Sequence, residues 1–85
     1  MTMDRSEIVR RTNAAMAKEF ELDPARLTPE ADLYEDLQLD SLDSVDMVAA
    51  LEREFGVVIN RQADETALRS IRKMDDVYAF VAGKL

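Results

Sequence analysis

Side chains near the start of the chain recur at the spacing of an amphipathic α-helix. The recurring residues are Ile8, Val9, Thr12, Met16 and Phe20. Asp4 and Glu7 precede them in a capping-box pattern, and Pro24 disfavours helical geometry at the residue before it. The pattern therefore predicts a first helix over residues 5–20.

A second helical stretch occupies the middle of the chain. Asp40 is a favourable N-cap, Asp43 stands where its carboxylate can reach back to that cap, and Gly56 is a favourable C-terminal stop. These signals predict a helix over residues 41–55. The apolar side chains on one side of it, which we expect to face the core, are Val45, Val48, Leu51 and Phe55.

The last part of the chain predicts a third long helix and a short one before it. Met74, Val77, Tyr78, Val81 and Leu85 fall on one helical face. Residues 64–70 are assigned one or two helical turns. We therefore predict an all-α fold, a four-helix bundle of three main helices plus a short third helix, in a single domain over residues 1–85.

A long connection joins the first two predicted helices. Thr28 and Pro29 resemble the cap and first residue of a short turn. The apolar residues that punctuate the connection are Leu27, Leu33, Leu37 and Leu39. Because long structureless loops are uncommon in compact domains, we expect this one to be ordered and held against the core.

Composition excludes several functional classes. Among 85 residues there is no cysteine and no histidine, so the disulfide framework, the thiolate metal site and the usual general base are all missing, and we expect neither an enzyme nor a metal protein. The longest apolar run, residues 47–51, is far short of the roughly 20 residues that span a bilayer. Residues 1–11 lack the apolar segment of a signal peptide, so we expect a cytoplasmic location.

The net charge of −7 is concentrated in the middle of the chain. Residues 28–60 hold nine acids against Arg53 alone. Such a surface disfavours nucleic acid and anionic membranes and favours basic protein partners. We expect a monomer whose electrostatic docking surface lies in this stretch.

Apolar and acidic residues alternate on the predicted solvent face of the second helix. Met47 and Ala50 lie between Asp43, Asp46 and Glu54. They predict a small apolar spot framed by carboxylates, which would serve as a docking patch. The alternative is a solvated helix face with one exposed methionine.

Ser41 opens the same helix directly after its N-cap. A phosphate attached there would meet free backbone N–H groups and the positive end of the helix dipole. The carboxylates of Asp36, Asp40 and Asp43 would repel it, so attachment needs an enzyme. The alternative is that residues 40–43 are only a capping box.

Residues 36–46, Asp-Leu-Gln-Leu-Asp-Ser-Leu-Asp-Ser-Val-Asp, continued by residues 51–57, closely resemble the attachment-site region of acyl carrier proteins. The resemblance extends over most of the chain. It implies a bundle whose Ser41, flanked by Asp40 and Leu42, receives 4'-phosphopantetheine from coenzyme A through a phosphopantetheinyl transferase. The arm then bears acyl groups as thioesters for enzymes of fatty-acid, lipid or polyketide-type synthesis.

The resemblance also implies two further sets of residues. Those matching the partner-recognition helix, which would meet basic patches on the enzymes, are Asp43, Asp46, Met47, Glu52 and Glu54. Those expected to line an acyl-chain cavity between the second and third helices are Val45, Val48, Leu51, Leu68 and Ile71. An ordinary packed core is the alternative for the second set.

Two features depart from the family pattern. Gln38 stands where the family usually has glycine. Basic residues replace the usual acids near the third helix, namely Arg61, Arg69, Arg72 and Lys73. They suggest a specialised carrier. Three alternatives stay open: a carrier of aminoacyl or peptidyl groups, an unmodified acidic interaction module, and loose association of divalent cations with the acids around Ser41.

Overall fold

The computed structural model describes residues 3–85, which form four α-helices and no β-strand. The helices are α1 (Arg5–Phe20), α2 (Asp43–Phe55), α3 (Glu65–Ser70) and α4 (Met74–Lys84), with a 3-10 helix at Pro24–Arg26. The predicted all-α fold with a short third helix is confirmed. The predicted domain of residues 1–85 includes Met1 and Thr2, which lie outside the described residues. None of the four helices is long and apolar enough to cross a membrane.

Helix α1 begins and ends as its sequence signals predict. The Asp4 carboxylate caps it by accepting a hydrogen bond of 2.9 Å from the Glu7 N–H. Glu21 ends it in the left-handed conformation, with φ of 53°. The side chains of Ile8, Thr12 and Met16 are buried. This face packs against both α2 and α4 and forms one wall of the core.

The connection between α1 and α2 is ordered and packed against the core, as predicted. Its first three leucines are buried and Leu39 is half-buried. The connection also pairs with the segment before α4. Leu33 N–H donates to the Arg72 carbonyl at 2.8 Å, and Asp32 and Lys73 form an isolated antiparallel bridge. The segment of residues 31–39 is therefore fixed both by its buried leucines and by hydrogen bonds to the segment before α4, ahead of Ser41.

Asp32 fastens this connection by charge as well as by its backbone. Its carboxylate accepts hydrogen bonds from the N–H groups of Glu35 and Tyr34 and forms an ion pair of 2.9 Å with Arg72. The Glu35 N–H, together with that of Tyr34 and with Arg72, holds the pKa of Asp32 below its usual 3.8 against the opposing effect of burial.

Helix α4 supplies the centre of the core. Met74, Val77 and Tyr78 are fully buried, and the Tyr78 hydroxyl donates to the Asn13 side chain of α1. Leu85, predicted on the same face, lies beyond the last helical residue and is 43% exposed. Four of the five residues predicted for this face therefore lie in the core.

The buried face of α2 differs from the predicted one. Met47 and Ala50 are 3% and 4% exposed, so the prediction that they form an apolar spot on the solvent face is wrong. Val45, predicted in the core, is 46% exposed, whereas Val48 and Leu51 are buried as predicted. Phe55, predicted on the same face, is half-buried and packs against the core.

The position of the neighbouring elements explains this rotation. Ala50 lies on the side of α2 that faces α1, where it lines one hollow together with Ala15. Met47 packs on the other side, near Leu33 and Ile71. Because α2 is covered from these two directions, its buried arc is centred between Met47 and Leu51 and leaves Val45 outside.

Candidate functional site

The residues around Ser41 form a tight turn in front of α2. Asp40 Oδ1 accepts hydrogen bonds from the N–H groups of Leu42 and Asp43, at 2.9 and 3.1 Å. In return, Asp43 Oδ2 accepts from the Asp40 N–H at 2.9 Å. The predicted reciprocal cap is therefore present. The regular helix begins at Asp43 instead of Ser41, because residues 40–42 are taken up by the capping turn.

This cap changes the expected surroundings of a phosphate on Ser41. The N–H groups of Leu42 and Asp43, which we expected to be free, are already bound by Asp40. These two N–H groups therefore do not favour an anion there, whereas the dipole of α2 still does. The capping carboxylate opposes it, so the turn positions the serine but does not attract phosphate by itself.

The Ser41 side chain is presented to solvent by this turn. Ser41 is exposed, and no residue among 3–85 forms a hydrogen bond with its Oγ. The nearby Ser44 hydroxyl is instead engaged, since it donates to the Ser41 carbonyl at 2.7 Å. Of these two serines, Ser41 is the one whose hydroxyl is free to react.

Ser41 also lies at one side of a groove between α2 and α3. The groove encloses about 470 Å³ and is open to solvent on one side. Its walls combine apolar and basic side chains. The residues that line it are Tyr34, Ser41, Ser44, Val45, Met47, Val48, Arg61, Glu65, Leu68 and Arg69. Sequence reasoning missed Tyr34 and assigned no role to the two arginines, because their approach to Ser41 depends on how α3 packs.

The residues predicted for an acyl-chain cavity are divided by the structure. Val45, Val48 and Leu68 line the groove beside Ser41. Ile71 lies in an adjoining hollow of about 20 Å³, space for one or two water molecules, and Leu51 lines neither. The five residues therefore do not surround one preformed cavity.

Exposed apolar side chains do occur next to Ser41, but they are not the predicted ones. Leu42, directly after the serine, is 77% exposed, and Val45 follows one turn later. They form an apolar spot where Met47 and Ala50 were expected to lie. An exposed leucine beside a reactive group is suited to contact with a protein partner.

The acids of α2 differ in how far they are available to a partner. Asp46 is exposed and forms no ion pair within residues 3–85. Glu52 accepts a hydrogen bond from the Ile59 N–H at 2.9 Å, and Glu54 forms an ion pair of 2.9 Å with Arg11. Of the predicted partner acids, Asp46 is therefore the one with no internal role in the described part of the chain.

The local chemistry fits a phosphopantetheine group. An exposed serine hydroxyl and a partly apolar groove beside it suit a phosphodiester-linked, partly apolar arm. Across residues 3–85, no group of three or more acidic side chains is arranged to hold a metal ion.

Comparison with known proteins agrees with this geometry. Residues 12–74 match the family model described as "Phosphopantetheine attachment site". The chain is 42% identical to an acyl carrier protein of Thermosynechococcus vestitus and 37% identical to acyl carrier protein 2 of Ralstonia nicotianae, with 98% of both chains covered in each case. It is 40% identical to the mitochondrial acyl carrier protein 2 of Arabidopsis thaliana, over 94% of this chain and 60% of that one. The chain therefore belongs to the acyl carrier protein family, with phosphopantetheine as its cofactor and the carriage of acyl groups during their synthesis as its function.

Proposed function

We propose that Ser41 is the residue to which phosphopantetheine is attached. The observation that carries the proposal is the exposed Ser41 hydroxyl, which has no hydrogen-bond partner in the described residues and is held at the edge of a groove by the Asp40 cap. When bound, the group supplies a thiol that holds an acyl group as a thioester.

Attachment is a phosphoryl transfer in which Ser41 is the nucleophile. Its Oγ forms a bond to the phosphorus next to the pantetheine of coenzyme A, and the phosphoanhydride bond to the nucleotide breaks. The nucleotide leaves with the bonding electron pair, and the serine proton passes to a base. Because this chain has no histidine, and Asp40 is occupied as a cap, we assign that base to the phosphopantetheinyl transferase.

We further propose that the protein is a carrier and not a catalyst. It lacks both histidine and cysteine, and the side chains around Ser41 form caps and groove walls. Its reactions are then performed by partner enzymes. The cytoplasmic location stays a prediction, since one relative is mitochondrial by name.

A docking surface next to Ser41 would bring these enzymes to the arm. We assign it to Leu42, Val45 and Asp46, which are exposed, lie within five positions of Ser41 and, unlike the capping residue Asp40, form no side-chain hydrogen bond within residues 3–85. The carboxylate would steer basic patches of a partner, and the apolar pair would be covered on contact. Glu52 and Glu54 would contribute less, because both already serve contacts within the protein.

Intact mass spectrometry tests the attachment site. We expect incubation with coenzyme A and a promiscuous phosphopantetheinyl transferase to add one phosphopantetheine to the wild type and none to Ser41→Ala. Ser44→Ala is the matched control and should still be modified, since its hydroxyl lies one turn away. Modification of Ser41→Ala, or none of the wild type while a known carrier reacts, would refute the proposal; the second result would favour an unmodified interaction module.

Transferase kinetics test the docking surface. Asp46→Asn should lower kcat/KM about two- to fivefold at low salt, the effect of one exposed charge pair, and leave kcat nearly unchanged. Glu30→Gln, an exposed acid on the connection, is the control. Equal effects of the two substitutions would show that net charge, and not this surface, controls docking.

A further inference from the structure

The four basic residues between positions 61 and 73 have two different structural roles. Arg72 belongs to the fold, because it pairs with Asp32 at 2.9 Å and approaches Glu35 at 3.6 Å. Lys73 precedes α4, where its N–H donates to the Asp76 carboxylate at 3.0 Å. Neither residue lines the groove beside Ser41. Stability of the fold therefore accounts for Arg72, whereas the contact of Lys73 is made by its backbone and sets no requirement for a basic side chain.

Arg61 and Arg69 have no comparable role in the fold. Both are exposed and both line the groove that begins at Ser41. Arg69 forms an ion pair of 2.7 Å with Glu65, one helical turn before it, whereas Arg61 forms none within residues 3–85. Two cations and one carboxylate leave this wall with a net positive charge in a protein whose net charge is −7.

The wall has apolar residues close to these cations. Val45 and Leu68 line the same groove, and Tyr34 adds an aromatic side chain. A ligand that suits both parts carries a short aliphatic stretch and an anionic end. The adjoining hollow of about 20 Å³ does not admit a long alkyl chain without movement of the core.

We propose that this groove binds the free carboxylate of a dicarboxylic acyl group held on the Ser41 arm. The proposal rests on the proposed function, since the arm brings the acyl group to the groove. The methylene groups lie along Val45 and Leu68, and the carboxylate pairs with Arg61 and, in competition with Glu65, with Arg69. A carboxylate is matched to the guanidinium groups in both charge and hydrogen-bonding geometry.

Two acyl groups that differ only in charge give the test. Apo protein is loaded from glutaryl-coenzyme A or from its neutral amide analogue, glutaramoyl-coenzyme A, with a promiscuous phosphopantetheinyl transferase. We expect the glutaryl form to melt about 2–4 °C higher at low salt, the shift that one exposed charge pair produces in a domain of this size. The difference should vanish at about 1 M salt, where the screening length falls to about 3 Å.

Substitutions on the wall assign the effect to these arginines. The difference between the two acyl forms should disappear in the Arg61→Gln, Arg69→Gln double variant and increase in Glu65→Gln, which releases Arg69 from its ion pair. Arg10→Gln, an exposed arginine on α1, is the matched control and should retain the wild-type difference. In two-dimensional NMR spectra, the side-chain N–H signals of Arg61 and Arg69 should shift in the glutaryl form relative to the glutaramoyl form.

The possible failures are distinguishable because loading is checked by intact mass before each melt. Absence of loading would overturn both the proposed function and this inference. Fully loaded protein with equal melting temperatures for the two forms, or a difference that persists in the double variant, would overturn this inference alone. A difference that persists in the double variant would mean that the carboxylate of the acyl group contacts another part of the protein.

Discussion

The backbone at Gln38 has a conformation that ordinarily favours glycine. Its φ is +59°, in the left-handed region, three residues before Ser41. For a residue with a β-carbon this conformation costs about 1–2 kcal/mol. Glycine removes that cost but adds about 0.4–1 kcal/mol through the greater entropy of the unfolded chain. Gln38→Gly should therefore stabilise the apo protein by about 0.5–1 kcal/mol, or about 2–8 °C in Tm.

A pair of comparisons separates relief of strain from the general effect of glycine. Unfolding in urea, followed by circular dichroism, is measured for Gln38→Gly against Gln38→Ala, which retains the β-carbon. The same pair of substitutions is made at Glu30, an exposed position without positive φ. We expect glycine to be more stable than alanine at position 38 and less stable by about 0.4–1 kcal/mol at position 30.

The comparison of glycine with alanine at position 38 tests whether the connection holds this residue in the left-handed conformation. The loop there is held by hydrogen bonds from Leu39 N–H to the Leu33 carbonyl and from Leu37 N–H to the Asp32 carbonyl, at 2.9 and 3.1 Å. These bonds should keep the left-handed residue in place after substitution. If glycine and alanine at position 38 differed as they do at position 30, the strain argument would be refuted.

Three other predictions follow from single features of the structure. Thr12 is fully buried and its hydroxyl has no hydrogen-bond partner in residues 3–85, so Thr12→Val should raise the free energy of unfolding, measured by urea denaturation, by about 1 kcal/mol. A decrease of about 1 kcal/mol would instead show that the hydroxyl forms a hydrogen bond. Gly83 lies within α4 with open space around it, so Gly83→Ala should raise the free energy of unfolding by about 0.5–1 kcal/mol. Gly56 has a φ of +65°, so Gly56→Ala should lower the free energy of unfolding by about 1 kcal/mol in the same assay. The pKa of Asp32 is lowered in the folded protein, above all by the hydrogen bond from the Glu35 N–H, so the Asp32 carboxylate contributes stability above pH about 3.8. This contribution is lost as the pH falls through the lower pKa of the folded state. Asp32→Asn should therefore make Tm decline less steeply in acid, and an unchanged dependence of Tm on pH would contradict this assignment.

Local signals in the sequence were sufficient to predict those helix ends and buried faces that depend only on residues nearby in the sequence. The Asp4 cap, the reciprocal pair of Asp40 and Asp43, and the stop at Gly56 each act within a few residues, and each is present. The buried face of α4 was predicted because its residues lie on one narrow stripe. Such features are determined by backbone geometry over one or two helical turns.

The face of α2 was not predictable in the same way. The spacing of Val45, Met47, Val48 and Leu51 gives their relative angles but not the direction from which the helix is covered. That direction depends on α1 at Ala50 and on the segment carrying Ile71 at Met47, which are distant in sequence. The position of Arg61 and Arg69 on the groove that Ser41 also lines could not be predicted for the same reason.

The rotation of α2 also explains how one short helix serves both the core and the site. With Met47 and Leu51 turned inward, Leu42 and Val45 are left outside, next to the exposed Ser41. Had Val45 been buried as predicted, the exposed apolar spot would have consisted of Met47 and Ala50, among the acids on the opposite face of the helix. The observed rotation places apolar surface beside the charge of Asp46, on the part of the helix next to Ser41. On the docking surface proposed above, a partner would be steered by the carboxylate and held briefly by the apolar contact, which suits a carrier that must leave each enzyme after transfer.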